Sequence, residues 1–224
     1  MSVCIIPARG GSKRIPRKNI APFHGRPMIG WSIKAAKETG LFDRIVVSTD
    51  DLEIAETALK EGAEIPFLRP VALADDYTPT VPVIAHAVTA LALSAETRVC
   101  CLYATAPLVR PNDLRAGFAL LDGPEYVMSV TSFPFPIQRA LRRDAQGQVE
   151  MMQPEHMLTR SQDLEEAWHD AGQFYWARAA TWTAGLPVFG KGAKGVPLPR
   201  HRVQDIDTPE DWTRAEALFA LIGG

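Results

Sequence analysis

Five cationic side chains, Arg9, Lys13, Arg14, Arg17 and Lys18, crowd into ten residues around the pair Gly10-Gly11, directly after the apolar run Val3 to Ile6. Glycine lets a backbone take positive φ and bring its N–H groups close to an anion. Arginine grips two phosphate oxygens as a fork and lysine adds a point charge, so the stretch reads as a polyphosphate site. A turn at the carboxyl end of a strand is where open α/β sheets bind nucleotides. A solvated basic turn is the competing reading of the same residues. The spacing matches neither the Walker A loop nor the G-x-G-x-x-G fingerprint, which removes support for a kinase or a dehydrogenase.

The second chemical feature is Asp205-Ile206-Asp207. Alternate residues of an extended segment face one side, so the two carboxylates come together and repel unless a cation joins them. Hard oxygen donors suit Mg²⁺, which uses one or two protein carboxylates with substrate phosphates and water. Thr208, Pro209 and Asp211 also spell a helix start, and that leaves one of the two carboxylates open to a purely structural use. Asp50 and Asp51 form a rival pair, for which helix capping is the favoured reading. The five histidines show no metal spacing, and no Ser or Cys stands in a nucleophile motif, so no covalent intermediate is expected.

Apolar runs at Val3 to Ile6, Arg44 to Ser48, Val99 to Tyr103 and Tyr126 to Thr131 alternate with helical periods, the pattern of βαβ units around a mainly parallel sheet. The first helix is expected from near Pro27 to Glu38, stopped by Gly40. The second, capped by Asp50 or Asp51, runs through Leu59 towards Gly62. A third spans Val81 to Leu93, and a fourth follows Pro111-Asn112 and ends near Leu121 before the Gly123-Pro124 break. Weak periodicity over residues 133–172 marks an insertion. Gln173 to Trp176 reads as a return strand and Pro209 to Leu221 as a closing helix.

The chain has 224 residues, 46% hydrophobic and 22% charged, with a net charge of −2, enough for one α/β domain over 1–224. No basic face extends beyond the loop, so nucleic acid is not expected as a partner. Cys4, Cys100 and Cys101 suit reduced core thiols rather than disulfides. No secretory signal or membrane span is apparent, and a cytoplasmic enzyme is the expectation.

The run Pro7-Ala8-Arg9-Gly10-Gly11-Ser12-Lys13, with Pro16, Lys18 and Asn19, resembles the signature loop of the CMP-sialic acid synthetase-like cytidylyltransferases, which activate sialic-acid-like sugars with CTP. The resemblance implies a single Rossmann-like nucleotide-diphospho-sugar transferase domain. It also implies that residues 133–172 form a projecting segment that builds a homodimer and reaches the neighbour's sugar pocket. By resemblance the nucleotide is bound by Ala8, Arg9, Gly10, Gly11, Ser12, Lys18 and Asn19, and by Arg69 within Phe67-Leu68-Arg69-Pro70. Mg²⁺ falls to Asp205 and Asp207, and the catalytic parts to Arg9, Lys18 and Asp207.

Tyr103-Ala104-Thr105-Ala106-Pro107 departs from the sialate pattern Gln-Pro-Thr-Ser-Pro, and Ala171-Gly172-Gln173 departs from Asn-Gly-Ala. Both resemble the branch acting on pseudaminic acid, which assigns Tyr103, Thr105 and Gln173 to the sugar, with Arg160 and Arg139 for its carboxylate or a neighbouring group. The implied reaction joins CTP to a nonulosonic acid, most closely pseudaminic acid, releasing pyrophosphate. Alternatives are the same reaction on sialic, legionaminic or 3-deoxy-octulosonic acid, a metal-dependent glycosyltransferase, and a nucleotide-binding regulator without turnover.

Overall fold

The computed structural model describes residues 1–123 and 125–223. Its sheet has the order β10-β6-β9-β5-β1-β4. The strands are β1 (Ser2–Pro7), β4 (Arg44–Ser48), β5 (Arg98–Leu102), β6 (Val127–Ser132), β9 (Trp168–Arg178) and β10 (Lys194–Pro197). β1 pairs in parallel with β4 and β5, and β10 with β6; β9 runs antiparallel to both β5 and β6. Every strand except β9 therefore points its carboxyl end to the same edge. β1 is buried along nearly its whole length, as its unbroken apolar run requires of a strand covered on both faces.

Two further pairs of short strands stand outside this sheet: β2 (Pro22–Phe23) with β3 (Arg26–Pro27), and β7 (Leu141–Arg143) with β8 (Val149–Met151). The helices are α1 (Met28–Thr39), α2 (Leu52–Lys60), α3 (Thr80–Ala90), α4 (Pro111–Leu120), α5 (Ala179–Thr183) and α6 (Pro209–Leu221). Their ends follow local chemistry. Gly40 closes α1 at φ 64°, its N–H on the Lys37 carbonyl. Asp51 caps α2 by accepting from the Ile54 N–H at 3.0 Å. Thr208 and Asp211 form a reciprocal box at the start of α6, with Pro209 in its first turn.

Alternation along the strands splits the core. Cys4, Ile6, Val47, Cys100, Leu102, Phe174 and Trp176 face α1, α2 and α4. Val3, Ile5, Val46, Val99, Cys101, Tyr175 and Ala177 face α3 and α5. A third cluster of Phe23, Met28, Leu108, Ile206, Ala215 and Phe219 fastens α6 to the β2–β3 hairpin. It buries Ile206, and so fixes the backbone that carries Asp205 and Asp207. All three cysteines are free and buried.

Two points differ from the sequence reading. β9 begins at Trp168 rather than Gln173, so the end of the 133–172 excursion belongs to the central sheet; Gly172 at φ 63° and a register shift against β6 hide its alternation. Edge strand β10 was not anticipated, because Gly195 and Pro197 dilute its signal. The fourth helix ends at Leu120, beside the expected Leu121, and the break expected at Gly123-Pro124 falls in part on Pro124, which lies outside the described residues.

Candidate active site

The basic loop leaves β1 at the carboxyl edge of the sheet. Ala8 carries the pairing with β4 one step further, its N–H on the Ser48 carbonyl at 3.0 Å. The loop then folds onto itself: Asn19 Nδ2 donates to the Arg9 carbonyl at 2.9 Å, and the Ile29 N–H to the Asn19 carbonyl at 2.8 Å. Arg17, at φ 56°, is the loop residue in left-handed backbone. Its guanidinium is forked onto Asp51 at 2.6 and 2.9 Å and also reaches Glu53. That hydrogen-bonded fork holds the Asp51 carboxyl down at about 2.

Neither Gly10 nor Gly11 has positive φ, contrary to expectation. Gly10 is small for a steric reason: a Cβ there would lie 2.6 Å from Asp51 Oδ2. Its N–H donates to Asp50 Oδ1 at 3.2 Å, while Gly11 is exposed with open space beside it.

A cleft of about 450 Å³ opens above the loop, lined by Arg9, Lys13, Arg14, Lys18 and Arg69. Ser12, Asn19, Tyr103, Thr105 and Asp207 share its wall. The cations are held by carboxylates from elsewhere in the chain. Arg9 and Lys13 meet Asp76 at 2.6 and 2.5 Å, and Arg14 and Lys18 meet Asp207 at 2.8 and 3.2 Å. Lys18 also donates to the Ile206 carbonyl. Arg69 is buried with its guanidinium on the Ser48 carbonyl and hydroxyl; burial lowers its pKa, partly offset by Asp50.

A second cleft of about 880 Å³ adjoins the first through Tyr103, which lines both. Asp205 faces the second cleft and Asp207 the first, on either side of buried Ile206. Poor solvation, and then the neighbouring Asp207 charge, raise the Asp205 pKa, while Lys18 opposes the rise. Two hard carboxylates that repel each other beside a cationic cleft are a donor set that fits Mg²⁺. The helix-start chemistry falls to Asp211, which accepts from the Asp207 and Thr208 N–H groups at 3.2 and 2.9 Å, so neither Asp205 nor the Asp207 carboxylate, held by Arg14 and Lys18, is spent on capping. Among the described residues no group of three or more His, Cys, Asp or Glu side chains forms a metal cage, so a cation here would need oxygens from its substrate or water.

The second cleft also gathers His169, Asp170, Arg200, Gln204 and Arg214, none of which sequence reasoning singled out. Asp170 is fixed by the Tyr175 hydroxyl and the Gly172 N–H. Their signal was positional: Asp170 opens β9 and Arg200 follows β10, both at the edge where the other strands end. Gln173, assigned to the sugar, lines neither cleft. It is 3% exposed, with Nε2 on the Arg202 carbonyl at 2.6 Å, beneath the segment that leads to Asp205. Arg160 is exposed on the 133–167 excursion and forked onto Asp163 at 2.7 and 3.1 Å, outside both clefts of its own chain. Arg139, nearby, donates to the Thr159 carbonyl at 2.5 Å.

This architecture is an α/β nucleotidyltransferase fold. It aligns with CMP:2-keto-3-deoxy-manno-octonic acid synthetase, solved in complex with CTP, at a TM-score of 0.70 and 16% identity over 99% of both chains. Residues 3–184 match the cytidylyltransferase family, and the chain belongs to that family. It is 44% identical to a pseudaminic acid cytidylyltransferase of Campylobacter jejuni, over 98% of this chain and 97% of the relative. Identity to a CMP-N,N'-diacetyllegionaminic acid synthase of Legionella pneumophila is 31%, over 98% and 96%.

Proposed function

We propose that the chain joins CTP to pseudaminic acid, giving the CMP-sugar and pyrophosphate in the first cleft. The carrying observation is that Arg14 and Lys18 of the basic loop meet Asp207 at a cleft whose other wall, Tyr103, opens onto a second cavity. The first cleft has the charge for a triphosphate. The second offers Arg200 and Arg214 to an acidic sugar. The choice of sugar rests on 44% identity to the pseudaminic enzyme against 31% to the legionaminic one.

In this reading the sugar's anomeric hydroxyl oxygen bonds to the α-phosphorus as the bond to the β-phosphate oxygen breaks, and the hydroxyl proton is released. Arg9 and Lys18 meet the negative charge that grows on the departing pyrophosphate. Asn19 lines the cleft and holds the loop's shape through Nδ2 on the Arg9 carbonyl, which leaves its side-chain oxygen to accept from the base. Asp205 and Asp207 would hold Mg²⁺, which when bound neutralises phosphate charge. Asp207, now paired with Arg14 and Lys18, would give up both to hold the cation, and the two would then be open to phosphate.

The enzyme works in the cytoplasm as a homodimer, with the excursion's exposed Leu141, Val149, Met157 and Leu158 covered by a second copy. The functional test is incubation with CTP, Mg²⁺ and a panel of pseudaminic, legionaminic, sialic and 3-deoxy-octulosonic acids, each product identified by mass. CMP-pseudaminic acid as the main product is expected. A different CMP-sugar overturns the substrate, and transfer from a CMP-sugar without use of CTP overturns the reaction.

A further inference from the structure

Asp76 lies on a strap, residues 74–79, between the short helical turn Val71–Leu73 and α3. The strap folds on itself: Asp75 Oδ1 accepts from the Tyr77 N–H at 2.9 Å, the Thr78 N–H at 2.6 Å and the Thr78 hydroxyl at 2.7 Å. None of its residues is buried, and Tyr77 at its crest is 91% exposed. It is tied to the nucleotide loop by Arg9, which donates to the Asp75 carbonyl at 2.7 Å and to Asp76, and by Lys13, which meets the other oxygen of Asp76 at 2.5 Å. A self-contained, exposed turn held by a few polar contacts is the kind of segment that opens at little cost.

Arg9 and Lys13 line the first cleft, and so do Asp76 and Thr78. A carboxylate and a phosphate present oxygens to the same N–H donors, so a phosphate that takes the Arg9 Nη1 and Lys13 Nζ donors now on Asp76 competes with it directly. We propose that Asp76 is a displaceable counter-anion, which holds Arg9 and Lys13 in the free enzyme, yields them to phosphate, and takes them back as pyrophosphate leaves. The inference rests on reading the loop as the triphosphate site. It gives the acidic side of the cleft a function: Asp76 weakens the hold on substrate and product alike, so the strap opens for CTP and helps expel pyrophosphate.

The test is calorimetric titration of wild type and Asp76→Asn with tripolyphosphate and, separately, with CTP, alongside thermal unfolding. Two exposed ion pairs removed from the free state correspond to about two- to tenfold tighter binding of both probes by the variant. The gain shrinks as salt rises and screens the pairs, and it shrinks in a Lys13→Met background. Asp76→Ser supplies a second neutral side chain should the amide variant unfold early. Unchanged or weaker tripolyphosphate binding in the neutral variants overturns the exchange, because Asp76 would then be absent from the competition or part of the bound state. Failure of either protein to bind tripolyphosphate overturns it too. Tripolyphosphate binding without CTP binding leaves the exchange standing and sinks the nucleotide reading instead.

Discussion

Replacing Gly10 by alanine separates two reasons for a glycine in an anion loop. At this position φ is ordinary, so alanine meets no backbone penalty. The added Cβ would sit 2.6 Å from Asp51 Oδ2 and 3.0 Å from Asp51 Cβ, where ordinary contact begins at 3.4 Å. Asp51 must move by several tenths of an ångström, yet its carboxylate caps α2 at 3.0 Å and holds the Arg17 fork at 2.6 and 2.9 Å. A weakened cap costs about 1 kcal/mol and a loosened, partly exposed ion pair up to about 1 kcal/mol. The sum, about 1–2 kcal/mol, lowers the melting temperature of a chain this size by roughly 3–6 °C. Gly11, with nothing within 4 Å of its added Cβ, serves as the control: Gly11→Ala leaves the melting temperature within about 1 °C. Calorimetric melting of both variants decides it, and Asp51→Ser, which keeps a cap but withdraws the clashing oxygen, removes most of the Gly10→Ala penalty. Equal stability of Gly10→Ala and wild type, or a larger loss at Gly11, refutes the steric argument.

Asp51 also sets an acid limit. Its folded pKa of about 2 lies below the ordinary 3.8, so its contribution is complete above pH 4 and disappears as pH falls towards 2. With partial solvent screening this amounts to about 1–2 kcal/mol, and urea unfolding of Asp51→Asn shows a shallower stability loss than wild type between pH 4 and 2. Arg202→Met strands the Asp113 carboxylate, whose ion pair of 2.5 Å is only 12–17% exposed. It lowers unfolding free energy by about 2–4 kcal/mol in denaturant titration, and adding Asp113→Leu restores part of that. In sedimentation, wild type runs at twice the chain mass at micromolar concentration, and Leu158→Glu, at a position now 93% exposed, runs as a monomer.

The fold was legible where one residue type carries one local meaning. Gly40, Asp51 and Thr208 with Pro209 and Asp211 placed the ends of three helices, because caps act within a turn. Apolar, β-rich runs gave β1, β4, β5 and β6. β9 was shortened because a left-handed Gly172 and a bulge scramble its alternation.

At the site, the basic loop and Asp207, read from the sequence as an anion site and a metal ligand, meet across nearly two hundred residues. Three things were hidden from the sequence. Gly10 answers to Asp51 rather than to its own dihedrals. Asp76 pairs with Arg9 from a distant strap. Gln173 turns beneath the sheet edge to hold the Arg202 carbonyl, while His169, Asp170, Arg200 and Arg214 line the second cleft from separate elements. Each depends on tertiary approach, for which spacing along the chain carries no signal.

The central claim is that cytidylyl transfer takes place where the basic loop meets Asp207. Its most direct measurement is the initial rate of pyrophosphate release from CTP with and without pseudaminic acid, in wild type and in Lys18→Met of matched melting temperature. The account predicts release that requires the sugar and falls by about a hundredfold or more in the variant, the loss typical of one donor that meets developing charge. Wild-type turnover in Lys18→Met would place the chemistry elsewhere and contradict the account.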